Sequence, residues 1–98
     1  MHSVSPADAA DAYRRGALFV DVRLGMQHAR DGLPGSRSLP LALIQAGRLP
    51  HDLPTDQPVY LLCERGHISE LAGLYLEEAG FRHVANVRGG LGALRPLL

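Results

Sequence analysis

The stretch VYLLCERGHISELAGLYLEEAG, residues 59–80, decides the fold of this chain. Its first residues, VYLLC, form the most apolar run in the sequence and predict a central β-strand. From Ile68 to Ala79 apolar residues recur at helical spacing, and Gly80 ends the pattern. We expect one face of this helix to be buried, formed by Ile68, Leu71, Ala72, Tyr75, Leu76 and Ala79. Cys63, the only cysteine, lies where the strand enters the loop before the helix.

Short strand and helix patterns alternate on both sides of this unit. Before it, SPADAADAYRRG predicts a helix with Ser5 as its N-cap and Gly16 as its end. The next patterns are a strand in ALFVDV (17–22), a short helix at 24–30, a brief strand in SRSLPL (36–41), a helical turn or two in LALIQAG (41–47) and a proline-rich loop at 48–58. After it, HVANV (83–87) predicts a strand, and RGGLGALRPLL (88–98) predicts a glycine turn and a terminal helix. This alternation is typical of an α/β fold with parallel strands.

Length and charge narrow the class of protein. A chain of 98 residues suits one domain, residues 1–98. Ten basic and ten acidic residues balance, so we expect neither a nucleic-acid partner nor a membrane surface. One cysteine excludes an intrachain disulfide and the multi-cysteine zinc motifs. The N-terminus lacks the pattern of a secretory signal, so we expect a cytoplasmic protein. We also expect no metal and no organic cofactor.

The position of Cys63 indicates chemistry. In parallel sheets, sites form at the carboxyl ends of strands, and the loop ERGHI (64–68) then leads into a helix N-terminus. Backbone N–H groups and the helix dipole at such a loop stabilise a thiolate and attract anions. Arg65 adds positive charge to the loop, and His67 is a second candidate for such a charge. Glu64 opposes this charge unless its carboxylate faces solvent. Gly66 permits a loop conformation that a Cβ would obstruct. We interpret Cys63 as a nucleophile.

Two other interpretations of Cys63 stay open on sequence grounds. Free cysteine is often a small buried hydrophobe, and a strand end is a common place for one. A metal ligand is a weaker candidate because the five histidines are scattered and none has ligand spacing to Cys63. His67 itself is more typical of a solvated loop residue than of a catalytic acid.

Three segments, in order, resemble the single-domain rhodanese (sulfurtransferase) family over nearly the whole chain. LFVDVRLGMQHARDGLPGSRSLPL is similar to the first signature, in which a strand ends in Asp-Val-Arg and a Leu-Pro-Gly-Ser turn follows. VYLLCERGHISELAGLYLEEAGF is similar to the active-site segment, Cys-x-x-Gly-x-x-Ser and a helix ending in Ala-Gly-Phe. VANVRGGLGAL is similar to the closing segment, where a Gly-Gly turn enters a helix. The resemblance implies a three-layer fold with a mostly parallel sheet of about five strands flanked by helices.

The resemblance also implies a mechanism. Cys63 would take the outer sulfur of thiosulfate or glutathione persulfide as a persulfide, and a thiol, cyanide or a protein acceptor would then remove it. By analogy, the backbone N–H groups from Glu64 to Ser69 form the cradle, the Ser69 hydroxyl bonds the sulfur, and Arg65 attracts an anionic donor. Asp21 and Arg23 match the family's Asp-x-Arg and are expected to be structural. Gly89 and Gly90 match the closing turn, for which ordinary loop chemistry is an equal alternative.

Several residues depart from the family pattern. Many members have arginine where Ile68 stands, so the cradle has one positive charge fewer and its preference for thiosulfate is open. The acidic residues usual after Asp-Val-Arg are replaced by LGMQ (24–27), and Asp31-Gly32 stands for Gly-His. Leu94 replaces an aromatic residue in the closing helix.

Three alternative functions remain from the sequence. A phosphatase or arsenate reductase of the related Cdc25 type would need a wider loop and an arginine six residues after the cysteine, where Ser69 stands. A non-catalytic rhodanese-like module would serve in binding or regulation, although such modules often lose the cysteine. A redox sensor would oxidise Cys63, but the chain has no resolving cysteine.

Overall fold

A computed structural model describes all residues, 1–98. In chain order the elements are β1 (His2–Val4), α1 (Pro6–Arg14), β2 (Leu18–Asp21), α2 (Gly25–Asp31), β3 (Arg37–Ser38), α3 (Leu41–Gln45), β4 (Val59–Leu62), α4 (His67–Glu78), β5 (Val84–Val87), α5 (Gly90–Leu94) and a 3₁₀ turn (Arg95–Leu97). The five strands form one sheet in the order β1-β5-β4-β2-β3, and every pair is parallel. The expected α/β fold with a parallel sheet is confirmed, and β4 is its central strand.

The sheet separates two apolar cores because successive strand residues point to opposite faces. On one face, Val20 and Leu61 pack with Ala72 and Leu76 of α4. On the other face lie the side chains of α1 and α5 with those of the sheet, among them Ala9, Ala12, Phe19, Leu62, Val87 and Leu91. Helices on both faces of the sheet give the three layers that the fold requires. None of the helices is long and apolar enough to cross a membrane.

The first helix begins as its sequence predicts. The Ser5 hydroxyl accepts a hydrogen bond from the Asp8 N–H at 3.1 Å, and Pro6 occupies the first helical position. The strand before it, β1, was not predicted: its three residues are largely exposed and carry no apolar run. Its structure comes from pairing with β5, from His2 beside Ala85 to Val4 beside Val87.

The buried face of α4 differs from the prediction. Ala72 and Leu76 are buried as expected, but Ile68, Leu71 and Tyr75 are 50%, 42% and 37% exposed. Ala79 is also exposed, and the helix begins one residue earlier than predicted, at His67. The buried positions are instead Ser69, Ala72, Gly73 and Leu76.

Small side chains explain the rotation of α4. Ser69 turns inward because its amide and hydroxyl both contact the Cys63 sulfur. Gly73 lies so close to the sheet that an added Cβ would overlap the side chain of Met1 and lie 3.3 Å from a methyl group of Val84 in β5. The helix therefore packs on the sheet through small residues and Leu76, and its other large apolar side chains remain at the surface.

Candidate active site

Cys63 directly follows β4, at the carboxyl edge of the sheet, and its side chain is 2% exposed. Its Sγ accepts hydrogen bonds from the N–H of Gly66 at 3.1 Å and from the N–H of Ser69 at 3.3 Å. The Ser69 hydroxyl oxygen lies 3.2 Å from the same sulfur. Donors aimed at a sulfur stabilise its anionic form, and a thiol that only filled space in the core would not require them. The site can therefore hold a negatively charged sulfur.

The loop after Cys63 also carries unused donors. The backbone N–H groups of Glu64, Arg65, His67 and Ile68 donate to no acceptor in the protein. Two of these residues open α4, whose N-terminus adds partial positive charge. The loop thus combines free donors with a helix dipole at the entrance to the cysteine, an arrangement suited to an anion or a sulfane sulfur.

The start of α5 orients this loop. The N–H of Leu91 donates to the carbonyl of Cys63 at 2.8 Å, and the N–H of Gly92 donates to the carbonyl of Glu64 at 3.0 Å. Because both carbonyls are turned toward α5, the orientations of the first two peptide groups of the loop are fixed. The closing segment is therefore a support for the cysteine loop.

Two glycines allow the loop and the closing turn to approach one another. Gly66 has a φ of +90°, and a Cβ on it would lie 3.1 Å from the carbonyl oxygen of Val87. Gly90 has a φ of +61°, and a Cβ on it would lie 2.7 Å from the carbonyl oxygen of Glu64. Gly89 precedes it as the N-cap of α5. Both the left-handed backbone and the close approach call for glycine at positions 66 and 90.

A buried ion pair closes the side of the site next to β2. Nη2 of the Arg23 guanidinium lies 2.8 Å from the Asp21 carboxylate. Nη1 of the same group lies 2.8 Å from the Glu64 carboxylate and 2.9 Å from the Asp31 carboxylate. Hydrogen bonding to Asp21 raises the pKa of Arg23 well above its ordinary value, and the bond to Arg23 lowers the pKa of Asp31. Arg23 is therefore fully paired. Glu64, whose effect the sequence left open, is partly neutralised by it.

Two cavities, of about 260 Å³ and about 210 Å³, border Cys63. Ile68 lines both of them and is half exposed. The smaller cavity carries the exposed Arg65 and His67 at its rim, whereas Leu24 contributes to the mainly apolar lining of the larger one. The cysteine can thus be reached past a basic rim or along an apolar wall.

Asn86, in the middle of β5, was missed by the sequence analysis. Its amide nitrogen donates to the carbonyl of Gly66 at 3.0 Å, and its amide oxygen accepts from the Ser69 hydroxyl at 2.5 Å. The signal in the sequence was a single amide inside the otherwise apolar strand VANV, residues 84–87.

All the predicted loop residues, 64–69, surround Cys63, and both structural pairs lie beside them: Asp21 with Arg23, and Gly89 with Gly90. Arg65 and His67 remain exposed at the rim, whereas Ser69 and Gly66 are buried. His67 is the first residue of α4 and makes no side-chain hydrogen bond. No group of three His, Cys, Asp or Glu side chains is placed to hold a metal ion.

Comparisons with known proteins agree with this geometry. The sequence model described as rhodanese-like domain matches residues 5–95. The thiosulfate sulfurtransferase GlpE of Stutzerimonas stutzeri is 35% identical over 86 residues, which cover 87% of this chain and 77% of that protein. A crystal structure of a rhodanese homolog from the extremely thermophilic bacterium Thermus thermophilus superposes with a TM-score of 0.75 at 39% identity, covering 95% of this chain and 100% of that one.

Some relatives are much longer than this chain. The tRNA sulfurtransferase of Desulfurococcus amylolyticus is 33% identical over 100 residues, which cover 95% of this chain but only 19% of that protein. The chain thus spans about a fifth of the length of such relatives. The residues of this chain that the rhodanese-like model matches, 5–95, include its cysteine loop, its Asp-Val-Arg strand end and its Gly-Gly turn. The chain belongs to the rhodanese-like domain family.

Proposed function

We propose that this protein is a sulfurtransferase that carries a sulfane sulfur as a persulfide on Cys63. The observation that supports this most strongly is the environment of the Cys63 sulfur. Its Sγ accepts hydrogen bonds from the backbone N–H groups of Gly66 and Ser69, and the adjoining loop has further amide donors without an acceptor in the protein. Such a cradle stabilises a thiolate nucleophile and also a charged terminal sulfur. Relatives named sulfurtransferase support the same reaction class.

The reaction divides into two displacements at sulfur. The Cys63 thiolate attacks the outer sulfur of thiosulfate; a bond from Sγ to that sulfur forms, and the sulfur–sulfur bond of thiosulfate breaks with its electron pair leaving on sulfite. The new terminal sulfur carries one negative charge, which free loop amides can bind. A thiolate or cyanide then attacks the terminal sulfur and restores the Cys63 thiolate. Glutathione persulfide could supply the sulfur in the same way, with glutathione thiolate as the leaving group.

Arg65 supplies the attraction for an anionic donor in this proposal. Arg23 is not free for that task because Asp21, Asp31 and Glu64 already surround it. The ion pairs around the loop engage Glu64 but leave Arg65 exposed at the cavity rim. The residue at position 68, near Arg65, is an isoleucine rather than a second cation, so the cavity rim attracts thiosulfate only moderately. A less charged persulfide donor can therefore compete with thiosulfate for Cys63.

A phosphoryl transfer reaction fits the site less well. A phosphate in its transition state needs several donors and a guanidinium close to three oxygens. Here the position that would carry that arginine is Ser69, whose side chain is buried against Cys63 and Asn86. The loop thus encloses one sulfur closely and has no guanidinium inside it.

We further propose that residues 1–98 act as one domain in the cytoplasm, without metal or organic cofactor, and without a nucleic-acid or membrane partner. A protein acceptor is compatible with the half-exposed Ile68 and the apolar lining near Leu24, which could contact a partner around the persulfide. A binding module without chemistry is the alternative, and it predicts that Cys63 never gains sulfur.

The test is the conversion of cyanide to thiocyanate with thiosulfate or glutathione persulfide as donor. The wild-type protein should turn over with at least one donor, and Cys63→Ser should have no turnover while keeping the same circular dichroism spectrum. Turnover by the serine variant would overturn the mechanism. Absence of turnover with both donors in the wild type would favour the binding module.

A further inference from the structure

Asn86 is a buried amide whose orientation is fixed by its partners. Its side chain lies in β5 and is 5% exposed. The carbonyl of Gly66 can only accept, so the amide nitrogen of Asn86 must face it, at 3.0 Å. The amide oxygen therefore faces the Ser69 hydroxyl, at 2.5 Å. An amide oxygen can only accept, so the Ser69 hydroxyl is the donor in this bond.

This bond decides what Ser69 presents to the cysteine. A hydroxyl has one proton, and when that proton lies on the Asn86 side, the lone pairs of the oxygen face the Cys63 sulfur 3.2 Å away. Lone pairs suit a thiol, whose S–H can donate to them. They also tolerate the inner sulfur of a persulfide, which is neutral and has two covalent bonds.

A thiolate is the state that conflicts with this arrangement. To donate to a charged Sγ, the Ser69 hydroxyl would have to turn away from Asn86. The buried Asn86 oxygen would then lose its one hydrogen-bond partner within the protein, which costs free energy. The charged sulfur is thus left with the two backbone donors, Gly66 N–H and Ser69 N–H.

We infer that Asn86 is a positioning residue that, through Ser69, withholds one hydrogen bond from the Cys63 thiolate and so favours the persulfide over the free thiolate. The part that concerns the persulfide rests on the proposed function, whereas the part that concerns the thiolate does not. A thiolate that is less stabilised is also a stronger nucleophile toward the donor sulfur.

Charged groups also face the cysteine. Glu64 and Arg65 come from the loop, His67 from the start of α4, and Arg23 from the segment after β2. All four remain in place in every variant below, so their effect on ionisation of Cys63 cancels in the comparison.

The test is a double-mutant cycle of Asn86→Leu and Ser69→Ala, read as the rate of Cys63 alkylation by iodoacetamide between pH 5 and 10 in sulfur-free protein. The quantity compared is the shift of the alkylation midpoint that Asn86→Leu causes with and without the Ser69 hydroxyl. When Ser69 is present, this shift should lie further toward lower pH than when Ser69 is replaced in Ser69→Ala. The expected difference is about one pH unit, a tenfold change in the ionisation constant, because the hydroxyl becomes free to donate to the thiolate.

A merely structural role of Asn86 gives a different result. If the residue only anchors Gly66, its loss loosens the cradle, and the midpoint moves to higher pH by the same amount with and without the Ser69 hydroxyl. That outcome would overturn the inference. Circular dichroism establishes that each variant is folded, and Asn86→Ala replaces Asn86→Leu in the cycle if the larger side chain prevents folding.

A second measurement separates this inference from the proposed function. In mixtures of thiosulfate and sulfite at a pH above the alkylation midpoints of both proteins, where free Cys63 is a thiolate, the ratio of persulfide to free Cys63 should fall about tenfold in Asn86→Leu, the same factor by which the thiolate gains. A protein that takes no sulfur contradicts the proposed function and leaves the alkylation cycle intact as a test of Asn86. An unchanged ratio beside normal sulfur uptake contradicts the inference alone.

Discussion

The Arg23 guanidinium lies 2.8 Å from the Asp21 carboxylate, and side-chain exposures of 2% and 0% remove both groups from water. Arg23 donates to both carboxylate oxygens through its side chain, and its backbone N–H donates to one of them as well. This pair ends β2 and connects it to the cysteine loop through Glu64. Its integrity is therefore important for the fold and for the wall of the site.

Asp21→Asn should destabilise the protein by about 1.5 to 3 kcal/mol, because Arg23 loses the charged hydrogen bonds of its main partner and keeps only Asp31 and Glu64. Urea unfolding measures the change in the free energy of unfolding. The matched control is Asp52→Asn, which breaks the exposed pair that Arg37 makes at 2.9 Å. It should cost less than about 1 kcal/mol. Equal losses in the two variants would contradict the assigned role of Asp21.

Acid should destabilise the fold through Asp31. The hydrogen bond from Arg23 lowers the pKa of Asp31 in the folded protein below its ordinary 3.8, so the charged carboxylate contributes stability above pH 3.8. That contribution decreases as the pH falls below this value toward the lowered pKa, because the unfolded chain takes up the proton first.

Asp31→Asn removes this source of pH dependence. Urea unfolding at several pH values between 2 and 5 should therefore show a shallower loss of stability in the variant than in the wild type. The slopes for Asp56→Asn, an exposed control in the loop before β4, should match the wild type. Parallel slopes for Asp31→Asn and wild type would show that the Arg23 bond does not act on Asp31.

Arg65→Ala should raise KM for thiosulfate about fivefold, the factor that corresponds to about 1 kcal/mol of attraction between unit charges in water. The effect should shrink in 0.5 M salt, which screens exposed charges. Arg15→Ala is the matched control, since Arg15 is exposed before β2, at the opposite end of the sheet from Cys63. A KM that is unchanged in Arg65→Ala, or equally changed in both variants, would remove Arg65 from the donor site.

Gly90→Ala should reduce sulfur transfer more than tenfold and destabilise the protein by about 1 to 3 kcal/mol. The added Cβ would meet the Glu64 carbonyl and force a side chain into a left-handed backbone, so the loop around Cys63 would have to move. Gly92→Ala is the matched control, because it makes the same change two residues later, where a Cβ has room. Its Cβ would lie 3.4 Å from the same carbonyl oxygen, in helix α5, and both activity and stability should stay close to wild type.

The strand–loop–helix unit could be predicted from sequence because its signals are local. The apolar run before Cys63, the glycine in the loop and the helical spacing after it each concern neighbouring residues, and the structure has the corresponding elements. Strand β1 could not be predicted in this way, because His2–Val4 becomes a strand only by pairing with the distant β5.

The orientation of α4 and the role of Asn86 depend on packing. Apolar periodicity favoured a face that includes Leu71 and Tyr75, but the close approach of Gly73 and the inward Ser69 turned the helix. Asn86 lies 17 residues from Ser69 in sequence, and only the fold brings its amide to the hydroxyl beside Cys63. Sequence spacing carries no information on such a contact.

The measurement that tests the central claim most directly is the intact mass of the reduced protein before and after thiosulfate, beside Cys63→Ser. We expect that the wild type gains the mass of one sulfur atom, that cyanide removes it, and that the serine variant gains none. If thiosulfate fails, glutathione persulfide should load the same sulfur. A wild-type mass that stays unchanged with both donors, or a gain that persists in Cys63→Ser, would contradict a persulfide on Cys63.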